Sequence, residues 1–442
     1  MSLSPGTTRR IDEIVTAAQA DGQVPSVVLG IVRDGALAHF SGAGGHPVPD
    51  PDTQYRIGSI TKTMTAVLVL ALRDEGRLAL DDPLETYLPG TPVGRVTLRQ
   101  LLGHASGLQR EPDGPWWERS PGVDLDTLLA GLTADKLAYP AYRVYHYSNL
   151  AYGLLGAVTE RITGRSWWGL LRARLLEPLD MVRTTYHPVE PYATGWVVHP
   201  WRGTLREEPR TDTGAMAPAG QLWSTIADLA KWAAFLADPA PELLAPDTLT
   251  EMCAPVVMSD LDSWTTGHGL GVELFRLGER VCLGHGGSMP GYVAALGVHR
   301  RSRTGVVAVA NAYGLRDGSI GRVATEAFRT VLDGEPAMPP TPWRPATAPA
   351  DPDVAELCGR WWWMGREYEV GWDADRSELV FTLLRPAGAV PWRFTREGTD
   401  RWRGRSGQQD GEILRVRRSA DGTIAALDIA TFMFTRDPDD LG

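Results

Sequence analysis

Apolar and polar positions follow two periods along this chain. Thr8 to Ala20 carries Ile11, Ile14, Val15 and Ala18 on one face of a 3.6-residue repeat and stops at Gly22, which predicts a helix. Val27-Val28-Leu29-Gly30-Ile31-Val32 and Ala36-Leu37-Ala38-His39-Phe40 then flank Asp34-Gly35, a two-residue hairpin signal. Met64 to Leu72 is apolar apart from Thr65, with Gly58-Ser59 before it and Gly76 after it, so it reads as a buried helix with Ser59 in the first turn. From there to about residue 260 helical patterns dominate. Long irregular connections interrupt them, including Leu101 to Leu108 and Val123 to Leu132. Strand signals return in Gly269 to Phe275, Arg280 to Gly284, Val293 to Val298 and Val306 to Asn311, and Ile320 to Leu332 predicts a helix returning over the sheet.

The pattern then breaks. Pro336, Pro339, Pro340, Pro342, Pro345, Pro349 and Pro352 fall in one polar segment, so residues 336–353 read as a linker between a domain of residues 1–335 and one of residues 354–442. Beyond it come short alternating runs: Trp361 to Val370, Leu379 to Leu384, Trp392 to Thr395, Arg401 to Gly404, Glu412 to Arg417 and Ala425 to Thr435. Turn signals at Asp373-Ala374-Asp375 and Asp421-Gly422 separate some of them, which predicts a small antiparallel, barrel-like β-domain.

Composition adds exclusions. A chain of 442 residues, 43% hydrophobic and 22% charged, can build two packed domains, and a net charge of −10 without a basic block excludes a general nucleic-acid binder. Cys253, Cys282 and Cys358 lie far apart without metal-ligand spacing, so neither a disulfide framework nor a metal site is expected. The start has no basic region leading into an apolar one, and no run is long enough to span a bilayer. The expectation is a cytoplasmic protein without membrane contact.

Candidate chemistry centres on Ser59-Ile60-Thr61-Lys62, which places a hydroxyl and an amine one helical turn apart. A serine becomes a good nucleophile when a neighbouring base takes its proton, and a buried lysine with a lowered pKa can be that base. Alone the pattern is weak: about one or two chance matches are expected in a chain this long, and a capping serine with a solvated lysine explains it equally well. Lysine usage shifts the balance. Of 44 Lys plus Arg residues the only lysines are Lys62, Lys136 and Lys231, and arginine cannot serve as a base. Lys136 and Lys231 stand beside Asp135 and Asp228 as ordinary helix-surface residues, whereas Lys62 opens an apolar helix.

Tyr147-Ser148-Asn149, just before the helical pattern Leu150 to Gly156, can present a phenol and a carboxamide to one cleft; an aromatic loop with an N-capping asparagine is the plainer reading. His285-Gly286-Gly287-Ser288 follows a strand, and its glycines allow close backbone approach. His104 is read as structural.

Taken in order, Ser59-Ile60-Thr61-Lys62, Tyr147-Ser148-Asn149 and His285-Gly286-Gly287 resemble the active-site motifs of the serine β-lactamase and penicillin-binding-protein superfamily, in the forms seen in class C β-lactamases and their DD-peptidase and esterase relatives. The likeness runs from about residue 10 to 335. It implies an α/β (α+β) β-lactamase/DD-peptidase-like transpeptidase fold, an antiparallel sheet with a helical subdomain. By the same resemblance Ser59 is acylated, Lys62 and Tyr147 share the proton transfers, Asn149 binds a substrate amide with Gly286 and Gly287 beside it, and the N–H groups of Ser59 and Ser288 form the oxyanion hole. His285 replaces the lysine of many members and Gly286 a hydroxyl residue, which favours esterase-like or peptidyl-transfer members.

With the β-domain appended, the chain looks like the stand-alone penicillin-binding-protein-type thioesterases with a lipocalin-like domain. Those imply a linear peptidyl thioester as substrate, delivered on a peptidyl carrier protein and ending in a D-residue, released as a macrocycle without a cofactor. Trp223 and the run Trp361-Trp362-Trp363 are candidates for walling such a cleft, with core packing as their alternative. Phe432, Phe434 and Arg436 alternate onto one face, so Arg436 is a candidate for a substrate carboxylate or carbonyl, or for capping the barrel through an internal salt bridge. Two rivals remain: an esterase or D-amino-acid amidase using water as acceptor, and a silent binding protein on this scaffold.

Overall fold

The strand Ser26–Arg33 is buried along its whole length because both faces of its sheet are covered. Val27, Leu29 and Ile31 point into a core shared with the helices Pro5–Gly22 and Ile320–Gly334, while Val28 and Val32 point into the larger core that holds the helical region. A computed structural model describes residues 2–315, 318–335, 351–374, 376–386 and 388–439, in two compact units, Met1–Pro339 and Pro340–Gly442. Residues 336–350 of the expected linker lie outside the described residues, as does Asp375 of the expected turn.

In the first unit eight strands form one antiparallel sheet, in the order Ala36–Gly44, Ser26–Arg33, Thr304–Ala310, Tyr292–His299, Arg280–Met289, Glu273–Leu277, Thr266–His268, Val257–Met258. Asp34 and Gly35 both have positive φ, as the tight hairpin requires. Two strands differ from expectation. Gly269 to Val272 do not belong to a strand, since Gly271 turns at φ +82 and the strand begins at Glu273. Conversely, the strand from Arg280 runs on through the glycine motif to Met289, because Tyr292–His299 pairs with it throughout. The apolar run after Ser59 is the buried helix Thr61–Asp74. Gly76, at φ +71, closes its C-terminal end by donating to Arg73 O.

The second unit is a meander of eight antiparallel strands in chain order, from Gly359–Trp363 to Phe432–Phe434. A bridge between Trp362 and Thr435 brings the first strand to the last, so the barrel nearly closes around Trp361, Tyr368, Phe381, Phe394, Trp402 and Phe434. Among the described residues, no helix is long and apolar enough to cross a membrane.

Candidate active site

Ser59 sits in a 3-10 turn, Gly58–Ile60, that runs directly into the helix Thr61–Asp74. Gly58 has φ +53, and a Cβ there would stand 2.6 Å from both N and O of Ser288. At Gly287 a Cβ would stand 2.1 Å from Ile57 O. Two glycines thus let the backbone leading to Ser59 press against the backbone of Ser288. The strand Arg280–Met289 pairs with Glu273–Leu277 only as far as Gly284, so from His285 onward it lacks a strand partner on that side. Residues 285–288 line a cleft of about 460 Å³ together with Ser59, Tyr147 and Asn149.

Lys62 is fully buried. Its Nζ lies 2.9 Å from Ser59 Oγ and donates to Ala219 O at 2.6 Å, with the rings of Tyr147 and Tyr152 at 5.1 and 5.5 Å. Among the described residues no carboxylate pairs with it, whereas Lys136 pairs with Asp113 and Lys231 with Asp180 and Asp228. Lys136 is also nearly buried, not a plain surface residue. Burial lowers the Lys62 pKa to about 7, against the smaller opposing pull of Glu111 and Glu118. Burial instead raises the Tyr147 phenol well above its ordinary value; its hydrogen bond with Ser59 opposes that rise. The serine therefore meets a group able to take a proton and a phenol that keeps its own.

The helix Asn149–Thr163 is capped by Ser148, whose hydroxyl accepts from Ala151 N–H, so the asparagine is not the cap. Its side chain is free for another task. Nδ2 donates to both oxygens of Glu111 at 2.9 Å, which leaves the buried Oδ1 without a partner as the group the carboxamide can offer. Glu111 is held in turn by Trp117 Nε1 at 2.7 Å and paired with Arg110 at 3.0 Å.

His285 stays neutral: burial and its neighbours His268 and Lys62 lower its pKa to about 3. Its Nδ1 lies 2.5 Å from Gly286 O, which fixes the proton on that nitrogen. His104, His268 and His285 each bring a ring nitrogen within 4.8 Å of the others, a spacing a metal ion could use. The set does not fit one. His104 Nδ1 accepts from Ser148 N–H at 3.0 Å, so its Nε2 carries the proton and has no lone pair to give. With its ring 4.3 Å from that of Tyr147, His104 supports the phenol from behind, the structural part the sequence suggested.

Two expectations are corrected. Trp223 is buried between Tyr192 and Tyr292 and does not line the cleft; it pairs with Arg56 in a two-residue strand and is core. Arg436 donates to the carbonyls of Glu356, Cys358 and Arg360 and stacks 4.0 Å over Trp361, so it caps its own barrel, through backbone carbonyls and not an internal salt bridge. Trp361 is inside that barrel, its Nε1 bonded to Leu357 O. The sequence reading passed over Glu111, Glu118, Glu273 and the Ala219 carbonyl. Glu273 looked like the polar half of a strand alternation, and the loop carrying Glu111 and Glu118 has no periodicity to read.

A beta-lactamase family model matches residues 11–327, and one described as a domain of unknown function (DUF7586) matches residues 350–436. Among curated relatives, Beta-lactamase-like protein 2 of Dictyostelium discoideum is 29% identical over 60% of this chain, which spans about half (52%) of that protein's length. Penicillin-binding protein 4 of Amycolatopsis lactamdurans is 29% identical over 78% of this chain and 94% of its own. Among solved structures, the D-stereospecific amidohydrolase from Streptomyces sp. is 29% identical with a TM-score of 0.63, covering 73% of this chain and 98% of its own. The D-amino acid amidase from Ochrobactrum anthropi SV3, in its complex with L-phenylalanine amide, is 25% identical with a TM-score of 0.61, over 74% and 98%. SurE, also solved with D-Leu, is 25% identical with a TM-score of 0.61 over 98% of this chain and 99% of its own, both units included. With the family model spanning most of the first unit and the three motifs meeting in one cleft, the chain belongs to the beta-lactamase family.

Proposed function

We propose that the protein is a serine acyl transferase and thioesterase that takes a linear peptidyl group ending in a D-residue from its carrier thioester and releases it by head-to-tail macrolactamisation. One observation carries the acyl-enzyme chemistry: a fully buried lysine amine, with a pKa near 7, lies 2.9 Å from the serine hydroxyl. Ser59 Oγ attacks the thioester carbonyl as its proton passes to Lys62, and the N–H groups of Ser59 and Ser288 hold the oxyanion. The C–S bond breaks, the departing sulfur takes a proton from the Lys62–Tyr147 pair, and an acyl-serine remains. An amine of the same peptide then attacks, its proton returning to that pair as Ser59 is released.

Charge supports a donor activated at its own C-terminal carboxyl. Among the described residues lining the cleft the one cation is Arg110, already paired with Glu111, and His285 is neutral. A substrate with a free carboxylate beyond the scissile bond would meet Glu118 and Glu273 instead. The D preference is supported by the D-stereospecific amidohydrolase and D-amino acid amidase among the relatives, and the appended barrel by the whole-chain likeness to SurE. A second reading, a D-amino-acid amidase or esterase with water as acceptor, draws on the same relatives. A silent binding protein does not explain a lysine buried beside a serine.

Matched linear peptidyl thioesters ending in a D- or an L-residue, incubated with wild-type and Ser59→Ala protein and analysed by mass spectrometry, test the proposal. Ser59-dependent cyclisation of the D-ended peptide is expected. Hydrolysis alone would transfer the assignment to the amidase or esterase reading.

A further inference from the structure

Beside the oxyanion-hole donors, three side-chain acceptors of the cleft lack a full set of donors among the described residues. Glu273, opposite both His268 and Gly284 in the sheet, lines the cleft, and among the described residues its carboxylate has no hydrogen-bond or ion-pair partner. Burial raises its pKa, as expected for a carboxylate short of compensation. Glu118 lines the same cleft with one oxygen held by Trp116 Nε1 at 3.1 Å and the other open. Asn149, 3% exposed, adds a buried Oδ1 without a partner, because Glu111 fixes its Nδ2. These three groups are acceptors, two of them carboxylates, and among the described lining residues the one cation, Arg110, is already paired. Of the three only Asn149 Oδ1 is fully buried without a partner, which costs free energy; the half-buried carboxylates add negative charge to the lining, so this set fits a ligand that brings donors and a positive charge.

We propose that the catalytic cleft binds a primary ammonium group of its substrate, held by the carboxylates of Glu273 and Glu118 and by Asn149 Oδ1. The assignment rests on the Ser59 acyl-enzyme reading and adds the class of substrate to it. The group belongs either to the acyl donor, as the α-amine of a D-aminoacyl compound, or to the acceptor, as the amine that enters before it attacks.

Two assays on the full-length protein separate these sources. The first compares D-phenylalanine thiophenyl ester with its N-acetyl derivative in wild type, Glu273→Gln and Glu118→Gln. For a donor amine, wild type prefers the free-amine ester, and Glu273→Gln lowers the ratio of kcat/KM values by about 10- to 100-fold, mainly through KM. The second measures how N-acetyl-D-phenylalanyl enzyme divides between water and added D-phenylalaninamide. For an acceptor amine the first ratio is flat, and Glu273→Gln lowers the aminolysed fraction several-fold. Phenethylamine competing in wild type where N-acetylphenethylamine does not supports the site without any substitution. If neither ratio nor fraction depends on the carboxylates and phenethylamine does not compete, the ammonium site is overturned. Failure of a fluorophosphonate probe to label Ser59 would overturn the acyl-enzyme reading instead.

Discussion

Lys62 is the residue whose environment decides most. With its pKa lowered to about 7, it is increasingly neutral as pH rises past that value, so kcat/KM should climb through about pH 7 and level off above it. His285, already neutral there, would not shape that limb. Lys62→Arg keeps a cation that cannot deprotonate and should lower kcat/KM by about 10²- to 10⁴-fold; a near-normal rate would remove lysine from the proton transfer. The same burial acts on stability. Because the folded pKa lies below the unfolded one, the cost of holding the ammonium is fully present below pH 7 and is relieved as pH rises toward the ordinary lysine value. Lys62→Met should therefore be more stable than wild type at neutral pH, with the advantage shrinking by about 2 kcal/mol between pH 7 and 9 in denaturant titrations. At this scale the sequence was legible where three short motifs could be read together: Ser59, Tyr147, Asn149 and His285 line one cleft, with Lys62 buried against Ser59. Glu118 and Glu273 were not, since each acquires meaning only where segments far apart in the chain meet. Trp223 and Arg436 were misplaced because residue type says nothing of which partners exhaust a side chain.

At the scale of elements, the junction of the 3-10 turn with the strand Arg280–Met289 sets the geometry. Gly58→Ala would put a methyl 2.6 Å from Ser288 backbone atoms at a φ of +53, so the turn or the strand must shift. The expected result is a loss of about 1–3 kcal/mol in stability and a much larger fall in the rate of Ser59 labelling by an acylating probe. Unchanged labelling would mean that the contact does not position the serine. Element reading from the sequence failed at two tight turns that it ran through. Trp361 to Val370 is two strands joined at Met364-Gly365, and Ala425 to Thr435 is two joined at Ala430-Thr431, where both residues take positive φ. Thr431 N–H bonds Asp428 Oδ1 across that second turn, so a side chain three residues back does what a glycine signal would have announced. Periodicity alone runs straight through such a turn, which is why six runs were read where eight strands stand.

For the whole molecule, the hydrophobic cores follow the division into two units. The two cores of the first unit draw on residues from Leu3 to Val331, and the barrel's core on Val354 to Phe434, with no residue in common. The expectation of a boundary there rested on composition alone, the seven prolines between Pro336 and Pro352. All described residues lining the catalytic cleft fall between Ser59 and Gly321. A fragment of residues 1–339 should therefore melt cooperatively and form the acyl-enzyme within about threefold of the full-length rate, since the groups that attack and move protons are all present. Intact-protein mass spectrometry of Ser59 labelling measures this directly. A fragment that folds but fails to acylate would show that the barrel supplies part of the catalytic geometry. A fragment that acylates normally, yet diverts its acyl group from amine to water, would place the barrel's contribution after the acyl-serine forms, at the step where the acceptor is chosen.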